Sequence, residues 1–289
     1  MIRSILFVPA DSERKLAKAL STNSDALVLD LEDSVLPARK QVARELMRAW
    51  MTSQADTSRI WVRVNDITSG ELLRDLAVAV PCRPAGIVFP KIRGPEDLVA
   101  LGHYLDALEA EHGLEAGHVK LMALVTETPI AVLRLGEVAH AAHPRVRAVT
   151  WGGDDLASAL GASDPRHEDG SWRPLYETAR SNALLTAHAM GVDALDTPYL
   201  NFRDLEGLMQ SCIAARRDGF TGRLAIHPDQ VAVINRAFTP SMAELDMARR
   251  IVAAFDRGAG AVAIDGKMYD IPHLRAAQRR LSSFNTSHD

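Results

Sequence analysis

The sequence predicts a (β/α)₈ barrel, and three observations carry that expectation. Short apolar runs alternate with amphipathic helical patterns through the first 257 of the chain's 289 residues. Such alternation implies parallel strands joined by crossover helices. Eight such units fit the size of a barrel of this type. Every run also stops at polar or charged residues, which suits strands whose ends share one solvent- or ligand-facing mouth. The first strand, finally, is followed by Pro9-Ala10-Asp11-Ser12, which lacks the glycine fingerprint expected of a doubly wound dinucleotide fold.

The expected strands are 4–10, 26–32, 60–66, 86–91, 120–127, 147–153, 192–197 and 222–227. Between them, 12–20 places Leu16 and Leu20 on one stripe, and 37–51 opens with Pro37, suited to a first helical turn. Further helical patterns fall near 70–80, 95–111, 129–141, 174–190, 203–217 and 241–257. The chain changes character at Gly258-Ala259-Gly260. An Asp265-Gly266 pair between short apolar runs predicts a hairpin, and a last helix is expected near 272–283. The expected organisation is therefore a catalytic barrel over 1–257 and a glycine-hinged appendage over 258–289.

Composition narrows the function. The net charge is −4 with both signs interspersed, which argues against a general nucleic-acid surface. No apolar run approaches the ~18 residues of a membrane span. The N-terminal apolar stretch is too short for a signal peptide. The only cysteines are Cys82 and Cys212, without metal-ligand spacing, so free thiols and a cytoplasmic location are expected.

Strand periodicity then sorts the candidate site residues. On the second strand Leu27, Leu29 and Leu31 take one face, leaving Asp30 and Glu32 on the other, toward the upper barrel. On the third, Trp61, Arg63 and Asn65 share a face. The planar fork of Arg63 suits a substrate carboxylate, and it also suits neutralising Glu32 or Glu127. Glu127 and Asp155 are expected to close the fifth and sixth strands, which lie about 4.8 Å apart. Two such carboxylates repel unless a cation or a shared proton intervenes. A divalent ion with a preference for oxygen, Mg²⁺, meets that need, and a bridge by Lys91 is the plainer alternative. Asp154 rivals Asp155, because Gly152 and Gly153 loosen the alternation. Arg14 and Lys18, at i and i+4 of the first helix, form a candidate phosphate-binding pair.

These stretches, in this order, resemble the citrate lyase beta subunit and its relatives in the HpcH/HpaI aldolase and malyl-CoA lyase superfamily. The resemblance rests on Arg3-Ser4-Ile5-Leu6-Phe7-Val8-Pro9, Asp30-Leu31-Glu32-Asp33, Val62-Arg63-Val64-Asn65, Pro90-Lys91 and Thr126-Glu127-Thr128. It continues through Gly152-Gly153-Asp154-Asp155, Ile226-His227-Pro228 and Asp265-Gly266-Lys267-Met268. It implies a TIM barrel, Mg²⁺ held by Glu127 and Asp155, and Arg63 on a substrate carboxylate. It implies as substrate a 3-hydroxyacyl thioester, carried on CoA or an acyl carrier protein and cleaved to a 2-oxo acid. It further implies a homo-oligomer, a trimer or hexamer, in which Asp265 reaches a neighbouring subunit and serves acid–base chemistry. Hydrolysis or condensation on the same site, and a non-catalytic binding subunit, are the other functions that such a site permits. Thr126 departs from the aliphatic residue that the family often has before the metal glutamate.

Overall fold

A computed structural model describes residues 2–256 and 260–285. They form two compact units, Ile2–Asn235 and a C-terminal unit from Arg236 onward. In the first, eight strands close a parallel barrel in sequence order: β1 (Ser4–Pro9), β2 (Ala26–Asp30), β3 (Ile60–Arg63), β4 (Gly86–Phe89), β5 (Lys120–Leu124), β6 (Val146–Thr150), β7 (Asp193–Asp196) and β8 (Gly222–Ala225). The ring closes through β8 against β1, with Leu6 opposite Ala225. The expected fold class is thus present.

The helices are α1 (Glu13–Ala19), α2 (Lys40–Thr52), α3 (Leu72–Ala79), α4 (Pro95–Glu111), α5 (Pro129–Leu133), α6 (Leu135–Ala141), α7 (Gly153–Leu160), α8 (Pro174–Met190), α9 (Leu205–Asp218) and α10 (Pro228–Phe238). α2 shows why they pack as they do: Ala43, Met47 and Met51 recur every four residues and are all buried. The expected helix over 129–141 divides at Arg134 into α5 and α6. Two helices are additional to the expected set. α7 begins at Gly153, so Asp154 and Asp155 lie in its first turn and not at the end of β6. Acidic residues are favoured there because the first-turn N–H groups and the helix dipole both present positive charge. α10 carries its own signals, Pro228 at the start and a buried stripe of Val231, Ile234 and Phe238.

The barrel interior is a packed layer that includes Ile5, Val28, Trp61, Val88, Met122 and Leu224. Gly86 makes room for the Trp61 ring, because a Cβ there would overlap both the ring and the Lys120 carbonyl. Leu27, Leu29 and Leu31 face away from this layer and are fully buried under the helices. Closing one end with large apolar side chains leaves the other, where the strands finish, for polar groups.

In the C-terminal unit, α11 (Met242–Phe255) starts with a capping box, Ser241 and Glu244 bonding each other's backbone N–H. β9 (Ala261–Ile264) and β10 (Lys267–Asp270) form the expected antiparallel hairpin, with Asp265 and Gly266 both at positive φ in its turn. α12 (Ile271–Asn285) follows. Ala248, Ile251 and Phe255 of α11 cluster with Ala277 of α12 and with Val262 and Ile264. The unit boundary accordingly falls before α11, at Arg236, and not at the expected residue 258. The reason is that the buried stripe of α11 packs on the hairpin and α12. The proposed hinge at Gly258-Ala259 lies outside the described residues. Among those residues, no helix is long and apolar enough to cross a membrane, and Cys82 and Cys212 are both free.

Candidate active site

The mouth of the barrel is built around one guanidinium. Register sets Asp30 of β2 beside Arg63 of β3. Both Asp30 oxygens accept from Arg63, from Nε and Nη2, each at 2.7 Å. Glu32 Oε2 lies 2.8 Å from Nη1, close enough for an ion pair but without hydrogen-bond alignment. The guanidinium carbon also sits 4.9 Å above the centre of the Phe7 ring. Burial opposes the Arg63 cation, but Asp30 and Glu32 outweigh it and hold the pKa above its ordinary value. Burial likewise works against the Asp30 carboxylate, yet Arg63 keeps its pKa below the usual range. Arg63 stays 13% exposed, and Asp30 and Glu32 leave some of its N–H groups for a ligand.

Lys91 follows β4 and occupies the left-handed region, φ 52°, which is costly for a residue with a side chain. This turn points its backbone N–H at Glu127 Oε2, 2.5 Å away. Its Nζ goes elsewhere, to Glu32 Oε1 at 2.5 Å and Asp33 Oδ2 at 3.0 Å. The lysine side chain therefore braces the acids that follow β2 rather than bridging Glu127 to Asp155.

Glu127 is buried deep in the site. It is 2% exposed, and its Oε1 has no hydrogen-bond partner among the described residues. Burial, then the charges of Asp155 and Glu32, push its pKa well above the ordinary carboxylate range. Glu127 and Asp155 line one cavity of about 360 Å³ together with Arg63, Asp30, Trp151 and Asp154. Thr126, immediately before the glutamate, is fully buried and accepts a hydrogen bond from the Gly152 N–H at 3.0 Å. That bond ties the β5 end to the β6 end and accounts for a hydroxyl at this position. A Cβ on Gly152 would stand 2.7 Å from Glu127 Cγ, so only glycine lets the two loops approach this closely.

This donor set fits a hard divalent cation. An unpartnered, buried carboxylate oxygen facing a second carboxylate is a charge imbalance that such an ion relieves. No cluster of three or more His, Cys, Asp or Glu side chains suited to a metal occurs among the described residues. Two protein carboxylates with open positions for water and substrate are characteristic of Mg²⁺.

A second cavity of about 400 Å³ adjoins the first along Phe7, Pro9 and Ile226, and Arg14, Lys15 and Lys18 of α1 line it. Asp265 belongs to the C-terminal unit, where both its oxygens accept from Arg250 at 2.8 Å. This bond, ahead of the small cost of desolvation, holds its pKa below the usual range. Glu127, Asp155, Arg63 and Asp30 thus meet around one cavity with Glu32 behind them, Arg14 and Lys18 line its neighbour, and Asp265 belongs to the other unit, paired with Arg250. The bracing by Lys91 and the role of Thr126 were not predicted. Strand periodicity cannot reveal either, because both act through the loops beyond the strand ends.

A closed parallel barrel of eight strands, with the buried Glu127, the partly buried Asp155 and an arginine at its mouth, is a (β/α)₈ barrel. Residues 3–228 match the family model for HpcH/HpaI aldolase/citrate lyase, and the chain belongs to that family. It is 32% identical over 290 residues to the mitochondrial citramalyl-CoA lyase of Rattus norvegicus, covering 96% of this chain and 84% of that protein. It is 33% identical over 285 residues to a (3S)-malyl-CoA thioesterase of Cereibacter sphaeroides, covering 97% and 93%. Among solved structures, the CitE protein of Mycobacterium tuberculosis in complex with magnesium, acetoacetate and coenzyme A superposes with a TM-score of 0.82. It shares 32% identity and covers 98% of each chain.

Proposed function

We propose that this chain is a Mg²⁺-dependent carbon–carbon lyase. Its substrate is a 3-hydroxyacyl thioester of the citramalyl-CoA, malyl-CoA or citryl-CoA type, and its products are a 2-oxo acid and an acyl thioester. The observation that carries this reading is the buried Glu127, with an oxygen lacking a partner among the described residues, in one cavity with Asp155 and Arg63. The relative named as a citramalyl-CoA lyase and the magnesium and coenzyme A complex support it.

In this reading Glu127 and Asp155 hold the metal through hard oxygens. When bound, Mg²⁺ supplies a Lewis acid for the oxygens at the carbon that becomes the 2-oxo group. Arg63 grips the adjacent carboxylate with its remaining N–H groups and so orients the bond to be broken. Asp30 and Glu32 keep the fork fixed while it does so. The hydroxyl gives its proton to the Asp265 carboxylate, its oxygen becomes the ketone, and the carbon–carbon electron pair leaves on the thioester fragment as an enolate. That enolate takes up a proton at carbon. Asp265 returns this proton from a neighbouring copy in a homotrimer or hexamer, with the C-terminal unit that carries it acting as the lid. Arg14 and Lys18 hold phosphates of the carrier, and the adjoining cavities receive its arm.

The test is a panel of malyl-, citramalyl- and citryl-CoA with and without Mg²⁺, assayed for free 2-oxo acid. Metal-dependent release from at least one member is expected. Neither turnover nor binding across the panel would remove the thioester reading altogether. The thioesterase relative favours a second outcome, hydrolysis on the same site, which the same panel separates because the hydroxy acid appears intact. A malate-synthase-like enzyme would run the reaction toward condensation, and binding without turnover would indicate a non-catalytic subunit.

A further inference from the structure

The segment between α7 and α8 folds back on itself over Asp164 to Arg173. Arg166 and Trp172 form an isolated antiparallel bridge, and His167 N–H donates to the Ser171 carbonyl at 2.8 Å. Trp172 anchors this flap at the mouth. It packs edge-on against Trp151 at 4.8 Å and closes over Gly153, just ahead of Asp154 and Asp155. Trp151 and Asp154 both line the cavity that holds Glu127 and Arg63.

The Arg166 guanidinium stacks on the Trp172 ring, its carbon 3.5 Å from the ring centre. Stacking of this kind fixes the plane of the fork without consuming its N–H groups. Among the described residues its one side-chain hydrogen bond is a long one, from Nη1 to the Gly170 carbonyl at 3.3 Å. No carboxylate is within ion-pair distance of Arg166 among the described residues. The other half-buried or buried arginines of the barrel unit mostly do have one: Arg3, Arg44, Arg63, Arg145, Arg180 and Arg223 all pair with Asp or Glu. Arg166 is half-buried, and burial lowers its pKa even though Asp154 stands within electrostatic range. A partly desolvated cation, held flat at the rim with donors to spare, is a site waiting for an anion.

We infer that Arg166 is a specificity residue that receives a second carboxylate of the substrate, on the side chain of the 2-oxo acid fragment. This rests on the proposed lyase reading and sharpens it, because it favours a dicarboxylic 2-oxo acid over a monocarboxylic one. Arg63 takes the carboxylate next to the ketone, which every 2-oxo acid has. Arg166 takes the one that distinguishes oxaloacetate from pyruvate. The planar fork matters as much as the charge, since it can donate two parallel hydrogen bonds from its stacked position.

Calorimetric titration of oxaloacetate and of pyruvate, each with Mg²⁺ present, tests this on the full chain and on R166Q and R166K. The wild-type protein is expected to bind oxaloacetate at least about tenfold more tightly than pyruvate, as one charge-assisted hydrogen-bonded pair implies. R166Q should bring the ratio close to one while leaving pyruvate affinity unchanged, and that unchanged affinity also certifies the fold. R166K should fall between. An equal preference in wild type and R166Q, or no preference in wild type, overturns the role of Arg166 while leaving the lyase reading intact. Failure of the wild-type protein to bind either acid overturns both.

Discussion

Replacing Gly152 by alanine places a methyl group where Glu127 already is. The backbone at Gly152 is extended, φ −122° and ψ 99°, so alanine adopts it without strain and only space is at issue. The new Cβ would lie 2.7 Å from Glu127 Cγ and 3.2 Å from Oε1. Carbon atoms in contact settle near 3.5–4.0 Å, so roughly 1 Å of overlap must be relieved. Glu127 has little freedom to give way, being buried and held at Oε2 by the Lys91 N–H. Overpacking of this kind costs about 1–3 kcal/mol. If the carboxylate moves, that cost is drawn from metal binding, and Mg²⁺ affinity falls by about 10- to 100-fold. Calorimetric Mg²⁺ titration and thermal melting of G152A measure the two ways the overlap can be relieved. G136A is the control, because nothing lies within 4 Å of a Cβ at that glycine. A G152A protein that matches wild type in both Mg²⁺ affinity and melting would refute the argument that this approach must be glycine.

Three further outcomes are expected. E127Q should lose Mg²⁺ affinity by about 100-fold or more, since one of two charged ligands goes. Its metal-free form should melt no lower than wild type, because a buried and repelled charge is removed; retained affinity would reject Glu127 as a ligand. R63M leaves the buried Asp30 without its cation, while Glu32 keeps Lys91, and urea unfolding should show a loss of about 3–5 kcal/mol; a loss under 1 kcal/mol would mean Asp30 is otherwise compensated. Acid stability should depend on Asp196: burial alone would raise its pKa, but Arg223 and Arg180 lower it to about 2 from 3.8. A carboxyl depressed on folding contributes its stabilisation above the unfolded pKa and loses it as pH falls through the folded one. About 2 kcal/mol should therefore disappear between roughly pH 4 and pH 2. Urea midpoints across that window should fall less steeply in D196N, and equal slopes would contradict the assignment.

The order of strands, the faces of Asp30 and Arg63, and the hairpin at Asp265-Gly266 were all readable one-dimensionally. Period two and turn chemistry are local properties, and each survives whatever packs around it. α7 and α10 were not anticipated. Gly152-Gly153 disguised the start of α7 as a flexible strand end, and α10 follows β8 with only Ile226 and His227 between. The expected boundary at residue 258 followed a glycine-rich break, whereas packing drew α11 into the C-terminal unit.

The sequence by itself determined a barrel whose mouth carries acids and an arginine, because strand alternation and element order require no knowledge of neighbours. Only the tertiary structure decided how those charges divide. It turned the Lys91 side chain to Glu32 and its N–H to Glu127, left Glu127 Oε1 without a partner among the described residues, and stacked Arg166 on Trp172. The physical reason is that burial and pairing arise between residues remote in sequence. Asp30 and Arg63 are 33 positions apart, and Lys91 and Glu127 are 36. No local pattern records which charge will lose its water and which will find a partner.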